Sequence, residues 1–100
     1  MSVLMEVLAE ELDRLARQEV VCSRDLAELP KGYISKKNIR GRESYYLQWR
    51  EGDKIVSKYI SAEDLPKVEA QVERRKRLES ALRRIREDRK KLQKVLGKGK

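Results

Sequence analysis

The residue types that usually carry catalysis are scarce in this chain. It contains no histidine, which removes the commonest general acid or base at neutral pH, and a single cysteine, Cys22. The adjacent carboxylates Glu87 and Asp88 lie in a highly charged stretch, where such pairs ordinarily face solvent. The sequence has no glycine-rich phosphate loop and no metal-ligand spacing. We therefore expect a protein that is not an enzyme and that needs no cofactor and no metal.

Positive charge is the chemistry that the sequence does supply. Residues 1–30 hold three basic and seven acidic side chains, residues 31–66 hold eight and five, and residues 67–100 hold fourteen and five. This uneven distribution, with a net charge of +8, is typical of proteins that bind polyanions, and solvated helices show it too. In the last third, the side chains expected to neutralise phosphates are those of Arg74, Arg75, Arg77 and Arg84.

Aromatic and polar side chains share one face of a sheet predicted in residues 33–60. On that face Tyr33, Tyr46 and Tyr59 lie near Gln48, Arg50 and Ser57, with Lys36, Lys37, Arg40, Arg42, Lys54 and Lys58 on the edges and turns. Aromatic rings can stack on bases, while arginine and glutamine can hydrogen-bond to base edges. The alternative is that the tyrosines only stabilise an exposed sheet, or that the first helix covers this face.

Two helical segments flank this sheet within a single domain over residues 1–100. Residues 2–19 carry apolar side chains at spacings of three and four, which predicts a helix capped by Ser2. An apolar patch and a short helical turn follow it. Residues 64–96 predict one long basic helix, because no Gly or Pro interrupts it after Pro66 in its first turn. Residues 97–100 are expected to form a flexible tail.

The period changes to two over residues 33–60, which predicts a three-stranded antiparallel meander and an α+β class. If Gly52-Asp53 are the central residues of the second turn, the register pairs Tyr45 with Ile60, Tyr46 with Tyr59 and Trp49 with Val56. The alternative central pair, Glu51-Gly52, would put Trp49 beside Lys54. Apolar matching across the strands favours the first register.

The long helix contains two apolar sets whose phase breaks near residues 74–77. The first set can cover the sheet. The second set is a narrow seam of coiled-coil type, formed by Leu78, Leu82, Ile85, Leu92 and Leu96. Such a seam indicates a helical partner, which is either the first helix of the same chain or the same helix of a second chain in a homodimer.

Three features indicate a cytoplasmic protein without a membrane partner. No stretch approaches the roughly 20 apolar residues of a membrane span. The first six residues include an acidic side chain and no basic leader. The lone Cys22 cannot form an internal disulfide, and we expect it to be a small buried apolar side chain.

The run LPKGYISKKNIRGRESYYLQWREGDKIVSKYI, from Leu29 to Ile60, resembles a hairpin module of small uncharacterised bacterial, archaeal and phage proteins. Three short strands followed by a helix are also similar to the arm-type DNA-binding domains of phage integrases. That second resemblance implies a sheet lying in the major groove of DNA. It further implies DNA contacts from Lys37, Arg40, Arg42, Gln48, Arg50 and Lys54. The long helix departs from the integrase pattern, and we expect no recombinase domain within residues 1–100.

The sequence thus predicts a nucleic-acid-binding module, with DNA as the first candidate. Tyr46 and Tyr59 would stack on bases, and the basic residues would hold phosphates. The alternative is a protein-interaction or assembly module that dimerises through its helices.

Overall fold

The computed structural model describes residues 2–98. Its elements are α1 (Val3–Ala27), β1 (Tyr33–Ile39), β2 (Arg42–Glu51), β3 (Lys54–Ile60) and α2 (Leu65–Lys98). The three strands form one antiparallel sheet in the order β1-β2-β3. The predicted α+β class, with a meander between an N-terminal and a long C-terminal helix, is confirmed.

Helix α1 begins as predicted and ends later than predicted. Ser2 is its N-cap, because the Ser2 hydroxyl accepts a hydrogen bond from the Leu4 backbone N–H at 3.2 Å. The predicted end at residue 19 is wrong, since the helix continues to Ala27. Val20 and Val21 interrupt the apolar period and are exposed, whereas the buried stripe resumes at Cys22. The extra turns exist because the packed side of the helix extends past this interruption.

Helix α2 begins at Leu65, one residue after the predicted start, and Pro66 occupies its first turn. The predicted tail is wrong at residues 97 and 98, which belong to the helix. Residues 99 and 100 lie outside the described residues. None of the helical segments within residues 2–98 is long and apolar enough to cross a bilayer.

Two tight turns set the register of the sheet. The first places Arg40 at φ 54° and Gly41 at φ 80°, between the paired residues Ile39 and Arg42. Positive φ at both central positions is the pattern of a type I′ hairpin turn. The second turn has Gly52 at φ 58° and pairs Glu51 with Lys54. The predicted pairs Tyr45–Ile60, Tyr46–Tyr59 and Trp49–Val56 are all confirmed.

The chain divides into two compact units: Met1–Glu28 with Leu78–Lys100, and Leu29–Arg77. We call them the helix-pair unit and the sheet unit. The boundary in α2 falls next to the predicted phase break, so the two apolar sets of this helix serve different units. The expectation of a single domain over residues 1–100 stays a prediction.

In the sheet unit, the first part of α2 covers one face of the sheet. Around the buried residues Leu47, Ile60 and Val72 lie Ile34, Tyr45, Trp49, Leu65 and Val68. Because side chains alternate along a strand, the residues between these on each strand project from the opposite face. We call that opposite face the open face.

In the helix-pair unit, α1 packs antiparallel to the second part of α2. Cys22 and Leu26 form a buried cluster with Leu82, and Leu78 packs against it. The Cys22 thiol lies 3.2 Å from the Leu78 carbonyl oxygen, which confirms Cys22 as a buried packing residue.

A polar contact interrupts the apolar seam between these two helices. Arg86 Nε donates to Glu19 Oε1 at 3.2 Å, and Arg89 Nη1 bonds the other oxygen of the same carboxylate. The Glu19 side chain is only 19% exposed. The hydrogen bond from Arg86 lowers the pKa of Glu19, burial opposes this change, and Arg89 adds to it. The contact joins single positions far apart in sequence, so it favours one alignment of the helices.

We predict that Glu19→Gln lowers the melting temperature by several degrees near neutral pH, and that this difference shrinks in acid. The pKa of Glu19 is lower in the folded chain than its ordinary value of 4.5. Its charged form therefore stabilises the fold above that value, and the contribution is lost as the pH falls through the folded-state pKa. Thermal unfolding of both proteins across the acid range measures the difference.

Asp13→Asn is the matched control, because it removes a carboxylate from an ion pair in which both side chains are mostly exposed. Exposed pairs contribute about 0–1 kcal/mol, so this variant should behave like the wild type. Equal melting temperatures for Glu19→Gln and wild type at neutral pH would show that the contact does not stabilise the fold.

Candidate nucleic-acid interface

The open face brings together most of the predicted contacts of the sheet. Alternation along the strands assigns to this face Tyr33, Ser35, Lys37, Ile39, Arg42, Ser44, Tyr46, Gln48, Arg50, Ile55, Ser57 and Tyr59. Every residue of the sheet is described, and none on this face is acidic. The face therefore carries three cationic side chains with no carboxylate among them.

The tyrosines occupy the middle of the face. Tyr46 and Tyr59 are directly paired across β2 and β3, and their ring centroids lie 5.7 Å apart with the planes at 71°. Lys37 Nζ lies over the Tyr46 ring, 4.9 Å from its centroid. These edge-to-face and cation–π contacts hold the Tyr46 ring between Tyr59 and Lys37. Tyr33 lies on β1, opposite Gln48.

Gln48 lies at the centre of this surface with its amide held in place. Its side-chain Nε2 donates to the Ser57 hydroxyl at 2.9 Å, across the β2–β3 pair. The amide oxygen is not part of this bond. A fixed amide with a remaining acceptor can hydrogen-bond to the edge of a base.

The acidic residues of β2 lie on the covered side of the sheet. Glu43 forms an ion pair with Lys36 at 2.9 Å, and the hydrogen bond from this contact raises the pKa of Lys36. The Glu51 carboxylate accepts a hydrogen bond from Trp49 Nε1 at 3.1 Å. Because both carboxylates project away from the open face, they do not neutralise its cations.

Gly32 positions the start of β1 against the centre of the sheet. It has φ +111°, and a Cβ atom at this position would lie 2.1 Å from the Gln48 carbonyl oxygen. Only glycine permits this close approach of two backbones. Gly32 therefore sets where Tyr33 enters the open face.

A groove along the β1 edge connects the sheet to part of α2. Tyr33 and Ile34 line it together with Lys76 and Arg77, and Glu69 and Glu73 line it as well. The groove therefore has mixed charge. Four arginines of α2 were expected to neutralise phosphates. Of these, Arg77 is the one that lines a groove together with an open-face tyrosine.

The other predicted contacts lie elsewhere. Lys54 is an even number of residues from Ile60 on β3, so its side chain projects from the covered face of the sheet. Arg75 is half-buried and donates to the Leu29 carbonyl oxygen at 3.1 Å, which gives it a structural role. Arg74 is exposed on the part of α2 that covers the opposite side of the sheet, and Arg84 belongs to the helix-pair unit.

The first two residues of the predicted helix seam pack against α1 of the same chain. Leu78 and Leu82 pack with Cys22 and Leu26, while Ile85, Leu92 and Leu96 are half-buried. Within residues 2–98, no group of three or more Cys, Asp or Glu side chains is arranged to hold a metal ion.

One known protein family matches most of this chain. The family model described as "Domain of unknown function (DUF6788)" matches residues 5–70. The chain belongs to this family. No curated protein and no solved structure matches it. The DUF6788 match contains most of α1, the whole sheet and the start of α2, so the open face lies within it and Arg74, Arg77 and Arg84 do not.

Sequence reasoning on this DUF6788 chain missed two features of the site. One is the contact of Tyr33 with the groove that contains Lys76 and Arg77, which depends on how α2 crosses the sheet. The other is the strained backbone of Arg40, a non-glycine residue at positive φ. The dipeptide Arg40-Gly41 does signal a turn, since hairpin turns favour glycine at the second position.

We predict that Arg40→Asn raises the free energy of unfolding by about 1 kcal/mol, because asparagine tolerates left-handed φ better than arginine. Denaturant unfolding curves of the two proteins measure the change. Arg42→Asn is the control, since it places asparagine in a strand, where it is disfavoured, and should not stabilise. A loss of stability in Arg40→Asn would contradict a strained first turn.

Proposed function

We propose that this DUF6788 chain is a non-catalytic nucleic-acid-binding module, with DNA as the first candidate, and that the open face is its contact surface. The observation that carries the proposal is the combination on one exposed sheet face of three tyrosines, three cationic side chains and no carboxylate. We also propose a cytoplasmic location, in keeping with the free thiol of Cys22.

The cations of the open face are positioned to neutralise phosphates on both sides of the tyrosines. Lys37 and Arg42 lie toward the first turn, and Arg50 lies toward the second turn. Each phosphate neutralised releases condensed counterions, so binding weakens as salt rises. Arg77 and Lys76 extend this charge at the β1 edge, where Tyr33 joins the two surfaces.

The remaining helix basics add a weaker, less directed attraction. Arg74 and Arg84 are exposed on different parts of α2, and neither lies on the open face. Their charge would raise the local concentration of a polyanion without selecting its sequence. Arg40, in the first turn, would contact the nucleic-acid backbone at the margin of the site, whereas Lys54 projects from the opposite face of the sheet.

The likeness to integrase arm-type domains supports a DNA ligand and suggests one docking mode, in which the sheet enters the major groove. In that mode Gln48 and Arg50 would meet base edges, and Lys37 and Arg42 would meet phosphates. The likeness is one of element order alone, so the open-face chemistry carries the proposal.

The experiment is a fluorescence anisotropy titration with labelled single-stranded and duplex oligonucleotides at several salt concentrations. We expect dissociation constants of about 1 μM or lower near 50 mM salt, with a steep loss of affinity near 200 mM. Combining Lys37→Gln, Arg42→Gln and Arg50→Gln should reduce the slope of log affinity against log salt by about two to three units.

The matched control combines Arg17→Gln, Arg24→Gln and Arg83→Gln, which removes the same charge from exposed helical positions. It should reduce affinity less than the open-face variant, because its residues only contribute long-range attraction. Absence of binding to every oligonucleotide near 50 mM salt would overturn the proposal. Equal losses in the two variants would overturn the assignment to the open face.

A second candidate function is assembly of two chains through their helices. Its specific observation is a set of exposed aliphatic side chains on α1, namely Val3, Leu4, Val7, Val20 and Val21. Val21 also lines a largely apolar groove of the helix-pair unit with Ala81 and Ile85. These residues form two groups, one in the first turns of α1 and one near its C-terminal end, and grouped exposed apolar side chains are typical of interaction sites.

Sedimentation velocity over a wide concentration range tests this second function. Assembly through α1 predicts a dimer whose dissociation constant rises at least about tenfold in Val21→Glu, since a charge in an apolar interface is disfavoured. Val20→Glu is measured as a separate variant. Comparing its dimer dissociation constant with that of Val21→Glu shows which side of α1 lies in the interface. A monomer at every concentration would rule out this function.

A further inference from the structure

The open face carries more exposed ring and aliphatic surface than phosphate binding needs. Tyr33 is 54% exposed and Tyr59 62%, and the aliphatic residues Ile39 and Ile55 on the same face are 51% and 63% exposed. Tyr33, Ile55 and Tyr59 lie in neighbouring rows of the sheet toward the second turn, whereas Ile39 lies at the other end beside the first turn. Exposed apolar side chains grouped as the first three are mark binding surfaces. The ligand of this face should therefore bring flat apolar surface as well as charge.

The tyrosines offer at least two separate ring surfaces. Tyr46 is half-buried because Lys37 covers its ring and Tyr59 contacts it edge to face. Tyr33 and Tyr59 are the more exposed pair, and they lie on the two outer strands, offset by two residues in register. With about 4.8 Å between strands and about 3.4 Å per residue, their Cα atoms are roughly 12 Å apart. This separation gives room for a different base on each ring.

Duplex and unpaired nucleic acids present different surfaces to such a face. In a duplex the bases are stacked on one another, and the grooves expose only their edges, sugars and phosphates. Exposed tyrosine rings gain little against edges. In a single strand the base faces are free, and stacking on an aromatic side chain stabilises binding by about 1–3 kcal/mol per base.

The polar groups of the face suit a single strand that crosses the sheet. Lys37 and Arg42 flank the tyrosine rows on the side of the first turn, and Arg50 flanks them on the side of the second turn. Phosphates on either side of the stacked bases would therefore meet a cation. Gln48, held by Ser57, is paired with Tyr33 and lies on the central strand, between the strands of Tyr33 and Tyr59. It can hydrogen-bond to the edge of a stacked base.

We infer that the open face binds unpaired bases of a single-stranded nucleic acid in preference to a duplex, with Tyr33 and Tyr59 as the stacking residues. The inference rests on the proposed function, since it names the form of nucleic acid that the same face takes. Single-stranded DNA and RNA share this chemistry, because both present free base faces.

The test compares three labelled oligonucleotides of about 12 nucleotides or base pairs: a deoxythymidine strand, a uridine strand and a mixed-sequence DNA duplex. Anisotropy titrations are run with the full chain near 50 mM salt and near 200 mM salt. We expect at least one single strand to bind at least about tenfold more tightly than the duplex at both salt concentrations. The two single strands identify whether DNA or RNA is the better ligand.

Four single variants, none of which changes a charge, separate ring stacking from general damage to the fold. Tyr33→Leu and Tyr59→Leu keep apolar bulk and remove the ring, and each should weaken single-strand binding by about tenfold. Tyr33→Phe and Tyr59→Phe keep the ring and should bind like wild type. Melting curves of each variant confirm that the fold is retained, and duplex affinity should change by much less than single-strand affinity.

The outcomes distinguish this inference from the proposed function. Duplex binding equal to or tighter than single-strand binding would overturn the inference and leave a duplex-binding module. A single-strand preference that survives Tyr33→Leu and Tyr59→Leu in folded protein would overturn the stacking assignment. Absence of binding to all three oligonucleotides would overturn both proposals together.

Discussion

Side-chain alternation along β2 is the constraint on which both surfaces of the sheet depend. Tyr45, Leu47 and Trp49 project toward α2, and the residues between them project toward solvent. A slip of one residue in the pairing would send Tyr46 into the core and expose Leu47. The candidate interface therefore depends on the two hairpin turns, although neither turn is part of its centre.

The sheet and its register were predictable from the sequence because local signals agree there. The period of two, Gly52 in the second turn and the apolar match of Trp49 with Val56 all indicate the same pairing. The end of α1 was not predictable in the same way. Val20 and Val21 interrupt the apolar period, and only the packing of Cys22 and Leu26 against α2 shows that the helix continues.

The polar contact of the helix pair shows a second limit of sequence reasoning. Glu19 and Arg89 each interrupt an apolar stripe, and each looks like an ordinary charged residue in its own segment. They lie 70 positions apart, so no local pattern joins them. Such a pair contributes less to stability than to the choice of one alignment, because a shifted alignment would leave its charges without partners.

Net charge does not show which cations of α2 serve the fold. Arg75 donates to the Leu29 backbone, and Arg86 and Arg89 are held by Glu19, so part of the cationic count of α2 serves the fold. The open face has fewer cations, but its sheet residues include no carboxylate on that side. Since screening limits exposed charges to a range of about 8–10 Å, the local arrangement of charge decides affinity more than the total does.

The tyrosines can be explained by the stability of the sheet or by ligand binding, and the two explanations account for different residues. Tyr46 and Tyr59 form a cross-strand pair of the kind that stabilises sheets, and Lys37 strengthens it. That explanation covers neither Tyr33, which has no tyrosine opposite it, nor the exposure of Ile55. A ligand that brings both flat apolar surface and negative charge accounts for all of these residues together. Unpaired nucleic acid combines those two properties, and for this reason the open face, rather than the basic helix, is the proposed contact surface.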